Sequence, residues 1–83
     1  MGEYSDVKRR RMYRLLKWLA EKKEIMVEPG GEHQYNIKCT SWNRPYPITF
    51  KHGIVIKHIV KELRDKLIAV GICTKEEFDE HIR

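Results

Sequence analysis

Apolar residues recur at Met12, Leu15, Leu16 and Leu19, the spacing of a helix with one buried stripe. This predicts a helix over residues 6–23, with Ser5 or Asp6 able to cap its start. Val7, Tyr13 and Trp18 flank the stripe, and Arg9, Arg10, Arg11, Arg14 and Lys17 take the other faces. Residues 24–28 (EIMVE) form a short β-prone run, closed by the turn signal Pro29-Gly30-Gly31. Residues 33–40 (HQYNIKCT) alternate with period two. His33, Tyr35, Ile37 and Cys39 share one face of a second strand, and Gln34, Asn36 and Lys38 share the other.

Residues 41–45 read as a loop carrying Trp42 and Arg44. Residues 46–51 read as a third strand, with Ile48 and Phe50 facing one way and Thr49 and Lys51 the other. Pro47 suits a strand beginning or an edge. A second amphipathic helix follows over residues 54–70, with Ile56, Ile59, Val60, Leu63 and Leu67 on one stripe. Glu62 and Lys66 are spaced as a favourable i, i+4 pair, and Gly71 is placed to end the helix. Thr74-Lys75-Glu76-Glu77 has the capping-box spacing that opens a short last helix over residues 75–82. The expected fold is therefore α+β and ordered α-β-β-β-α, a three-stranded antiparallel sheet with its helices on one face, plus a short C-terminal helix. A chain of 83 residues suits one such domain spanning residues 1–83, with a modest core.

Charge changes this picture because it is unevenly distributed. Residues 1–23 hold eight lysines and arginines against three acids, and residues 51–61 hold three lysines and no acid. Residues 74–83 are acidic. A basic body with an acidic end suits a polyanionic partner such as nucleic acid, or an acidic protein; a solvated surface is the plainer alternative. No apolar run is long enough to span a membrane, and no apolar block follows the basic N-terminal residues as a secretory signal requires. The two cysteines, Cys39 and Cys73, are far apart, so reduced thiols and a cytoplasmic setting are expected.

Candidate chemistry centres on His33, which follows the Gly30-Gly31 turn and has a side chain that titrates near neutrality. Its alternative role is to close the edge of the core. Lys38, Lys51, His52, Lys57 and Lys61, with the backbone at Gly31, are candidate contacts to a phosphate backbone, and Lys57 and Lys61 lie one helical turn apart. Cys39, His52 and His58 lack the C-x-x-C knuckle that usually opens a closed zinc site, so no metal or other cofactor is expected.

Gly31-Glu32-His33 before a strand, then PYPITFKH, then a lysine-bearing helix ending at Gly71-Ile72, together resemble the HicA-type toxins of prokaryotic toxin–antitoxin systems. The resemblance runs from about Leu15 to Ile72. It implies a double-stranded-RNA-binding-domain-like fold and metal-independent cleavage of messenger RNA, with His33 as the catalytic residue. It also implies neutralisation by a HicB-type antitoxin. Two other functions fit the same residues: an RNA-binding module in which His33 is structural, and a basic domain that docks an acidic protein.

Overall fold

The computed structural model describes residues 6–31 and 34–82. Among them the chain forms three helices, a three-stranded antiparallel sheet and a two-stranded antiparallel ribbon. The elements in order are β1 (Val7–Lys8), α1 (Arg9–Ala20), β2 (Ile25–Gly31), β3 (Gln34–Cys39), β4 (Tyr46–Thr49), β5 (Ile54–Val55), α2 (Lys57–Ala69) and α3 (Lys75–Ile82). The main sheet has the order β2-β3-β4, and β1 pairs with β5 in the ribbon.

The predicted stripes are buried, except that Ile56 of the second is exposed and Ile59 half-buried. On α1, Met12, Leu15, Leu16 and Leu19 are buried; on α2, Val60, Leu63 and Leu67 are. Ile37 and Cys39 of β3 and Ile48 of β4 point into the same core, as does Phe50 just beyond β4, while Lys38, Thr49 and Lys51 are exposed. The register Tyr35↔Ile48 and Ile37↔Tyr46 puts these four residues on one face of the sheet, because strand side chains alternate between faces. Both long helices lie on that face. Tyr13 of α1 meets Tyr35 edge-on, with ring centroids 5.8 Å apart. Lys66 of α2 holds its ammonium 5.5 Å from the Trp42 and Tyr46 ring centres.

Several boundaries differ from the sequence expectation, and each difference has a local cause. The first helix begins at Arg9 rather than residue 6, because Val7 and Lys8 are extended and pair with Val55 and Ile54. It ends at Ala20, where residues 21–24 turn toward β2. Pro29-Gly30-Gly31, expected as a turn after residues 24–28, instead continue β2, with Pro29 paired to Tyr35 and Gly31 to Gln34. The third strand stops at Thr49, because Lys51 bonds to Ile54 in a turn of its own. The second helix starts at Lys57 because Ile54 and Val55 belong to the ribbon. Ile56, expected on the buried stripe, lies just outside the helix with extended backbone and is exposed. Asp6 does not cap α1: its carboxylate accepts the backbone N–H of Lys57 at 2.9 Å, capping α2. That position favours an anion, since the first N–H groups of a helix have no intrahelical partner. Ser5 lies outside the described residues.

The ends of the second and third helices follow the sequence signals closely. The Ile72 N–H donates to the Leu67 carbonyl and the Gly71 N–H to the Ile68 carbonyl, both at 3.0 Å, a Schellman closure. Gly71 takes the positive φ of 77° that this closure demands. At α3, the Thr74 N–H donates to Glu77 Oε1 at 2.9 Å and the Glu77 N–H to Thr74 Oγ1 at 3.2 Å, completing the capping box. The helix then buries Phe78 and Ile82 and leans on α1, where the His81 and Trp18 rings stack at 3.9 Å and 11°.

Candidate nucleic-acid interface

Strand register fixes which residues share an end of the molecule. Gly31 pairs with Gln34 where β2 hands over to β3, and Gln34 pairs with Thr49 at the end of β4. Two residues further on, Lys51 and Ile54 exchange backbone hydrogen bonds of 2.8 and 3.1 Å around His52 and Gly53. Both central residues have positive φ, 55° and 77°, as a two-residue type I′ turn requires. Glycine takes this conformation freely, and histidine is among the residues that tolerate it. The Gly53 carbonyl accepts the Arg9 N–H at 2.9 Å, so this turn is docked against the first residue of α1. His52 sits exposed at its tip with Lys51 beside it.

An aromatic group completes this end. Tyr13, Tyr35 and Phe50 meet edge-on, with centroids 5.3 to 5.9 Å apart. The Arg9 guanidinium carbon lies 5.4 Å from the Phe50 ring centre, within the range of a cation–π contact. A hydrogen bond with Tyr13 is the main cause that holds the Tyr35 hydroxyl protonated above its ordinary range. The neighbouring Tyr13 phenol and burial act in the same direction, and Arg9 opposes them. Phe50 is buried, Tyr35 half-buried and Tyr13 41% exposed. The three rings thus form a wall that opens to solvent through Tyr13.

The candidate residues named from sequence are dispersed over this frame. Gly31 is exposed at the end of β2, after a bulge that interrupts the register between Pro29 and Gly31. Lys51 and His52 share the docked turn. Lys57 and Lys61 are exposed on the first two turns of α2. Lys38 lies toward the other end of β3 and pairs with Glu28 at 2.6 Å, so its charge is already matched across the sheet. His33 and Glu32 lie outside the described residues. Cys39 is buried while His52 and His58 are exposed. Among the described residues no group of three or more His, Cys, Asp or Glu side chains is placed to hold a metal ion. No described helix is long and apolar enough to cross a membrane.

Sequence reasoning assigned Tyr13 and Arg9 only to the flank and outer faces of a helix, and Tyr35 only to a strand face. Their meeting is tertiary. The one local signal is that Arg9 and Tyr13 are four residues apart and therefore neighbours on the helix surface.

A second aromatic site lies at the β4–α2 junction. Burial pushes the Tyr46 hydroxyl up to about 12, with Glu62 adding to the effect through its charge and a hydrogen bond. The neutral phenol is therefore favoured in the folded state. Its contribution is fully present below the ordinary tyrosine range near 10 and is lost as pH rises from there to about 12. In an alkaline titration of phenolate absorbance, one tyrosine of the folded protein should ionise last and vanish in Tyr46→Phe. Stability measured by denaturant should fall less steeply in that variant over the same interval. A last transition that survives the substitution would assign it to another residue.

Comparison of the chain with protein-family models, with curated proteins and with solved structures finds no match.

Proposed function

We propose that this protein is a metal-independent endoribonuclease of the HicA type, which cleaves messenger RNA in the cytoplasm and is held inactive by a HicB-type antitoxin. In this reading the core is a double-stranded-RNA-binding-domain-like α-β-β-β-α unit, to which β1, β5 and α3 are additions. The observation that carries the proposal is the convergence at one sheet end. The junction of β2 and β3, between whose described ends His33 lies in sequence, shares that end with Lys51, His52, Arg9 and the tyrosine pair.

The chemistry this arrangement suits is transesterification within RNA. His33 takes the proton of a ribose 2′-hydroxyl as that oxygen forms a bond to the adjacent phosphorus. The bond from phosphorus to the 5′-oxygen breaks, that oxygen takes a proton from water, and His33 gives up its own to the solvent. A cyclic 2′,3′-phosphate and a free 5′-hydroxyl result. Charge builds on the non-bridging oxygens, where the cations Lys51 and Arg9 are the groups suited to stabilise it, with the His52 ring beside them.

The test is incubation of the protein with single-stranded RNA in excess EDTA, followed by analysis of the product ends. Cyclic phosphate and 5′-hydroxyl ends are expected, and the same sequence in 2′-deoxy form should stay intact. RNA recovered at full length would overturn the assignment. RNA bound in a salt-dependent way but never cut would favour a non-catalytic RNA-binding module.

A further inference from the structure

From the surface of α1 we infer a track for single-stranded RNA, in which Tyr13 stacks on a base and Arg10, Arg14 and Lys17 receive the flanking phosphates. The inference rests on the ribonuclease reading for its choice of strand. It adds contacts that neither the catalytic histidine nor the lysines of the β4–β5 turn and α2 supply.

Three observations carry it. Arg10, Tyr13, Arg14 and Lys17 are spaced i, i+3, i+4 and i+7 and all four are exposed, so they form one stripe along roughly two turns, about 10 Å of helix. No acidic residue occurs within Arg9–Ala20, so the helix itself sets no negative charge among these cations. Tyr13 is held from behind, edge-on to Tyr35 at 80° and to Phe50 at 65°, yet remains 41% exposed. A ring already fixed in this way loses little side-chain freedom when a base stacks on it.

This combination favours nucleic acid over an acidic protein. Cations at regular spacing meet a repeating anion, and an aromatic ring among them offers a surface that every base matches. The other large hydrophobics with comparable exposure are Met26, Ile56 and Ile68. They belong to β2, the residue before α2, and α2, so α1 presents no apolar patch of the kind that anchors a protein interface. The stripe also starts beside the docked Lys51–Ile54 turn, through the Arg9 N–H bond to Gly53. A strand lying along α1 is thereby led toward the proposed site of cleavage.

The experiment measures fluorescence anisotropy of a labelled single-stranded RNA of about 12 nucleotides, within the span such surfaces cover. The full chain is used with the His33→Ala change, so that binding is read without cleavage. Tyr13→Ala should weaken binding about tenfold or more, while Tyr13→Phe, which keeps the ring, should bind nearly as the parent does. The double variant Arg10→Gln/Lys17→Gln should lower the slope of log affinity against log salt by about 1.4, at about 0.7 per phosphate contact on a single strand. Circular dichroism of each variant establishes that the fold is kept.

Parent-like affinity and slope in the folded variants would overturn the track and leave the ribonuclease reading standing. A parent that binds no RNA would overturn the track and deprive the ribonuclease reading of its substrate. Binding lost in the variants, with no cleavage by the unmodified chain, would support the track and sink the ribonuclease reading alone.

Discussion

Phe78→Ala is expected to destabilise the protein by about 3–5 kcal/mol, the range for removing a buried aromatic side chain from a core that relaxes only partly. Phe78 is wholly buried and comes from α3, a helix of eight residues, too short to persist without packing. Its neighbours supply few substitutes. Ile82 is buried one turn further on, Trp18 stacks on His81, and the acidic residues Glu76, Glu77 and Glu80 face solvent. At about 0.05–0.15 kcal/mol per residue, a chain of this length has roughly 4–12 kcal/mol to lose. The variant should therefore melt more than about 10 °C below the parent or be partly unfolded at room temperature. Thermal melts followed by far-ultraviolet circular dichroism read this directly. A drop of under about 3 °C would mean that α3 is not seated on α1 as described.

The features legible in the sequence were those that depend on a period or on a short, self-contained signal. Four apolar residues of α1 and three of α2 stand out at helical spacing, and they are buried because a helix repeating every 3.6 residues has one face to give to a core. Gly71 and the Thr74–Glu77 pair encode their geometry within a few residues of themselves, so their roles follow from local chemistry alone. The alternation over residues 34–39 likewise sorted Ile37 and Cys39 inward and Lys38 outward.

What stayed hidden was decided by partners distant in sequence. β1 and β5 have two residues each, too few to show any period, and exist because Val7 and Val55 meet. Asp6 sits just before one helix and caps another 51 positions away, so a reading restricted to neighbours assigned it to the wrong one. Lys38 looked available until strand register brought Glu28 beside it. The grouping of Arg9 with Tyr13, Tyr35 and Phe50 draws on α1, β3 and the segment after β4. None of these segments marks the others, and the cluster emerges only when the sheet is packed against the helix.

His33→Ala is expected to lower the rate of RNA cleavage by about 10²–10⁴-fold, the usual contribution of a positioned acid–base side chain. Binding should be nearly unchanged, because the cations and the Tyr13 ring that would hold the strand are other residues. The loss should therefore fall on kcat with little change in KM, as when an interaction made only in the transition state is removed. Folding should stay nearly intact, which a thermal melt of the variant checks. Tyr13→Ala provides the opposite pattern, a raised KM with a smaller change in kcat. If His33→Ala cleaves at the parent rate, the histidine is not the catalytic group. His52, which the docked turn places at this end, then becomes the candidate, and His52→Ala should show the loss. If both variants retain full activity in preparations from independent expressions, the cleavage does not arise from this site, and the ribonuclease assignment fails with it.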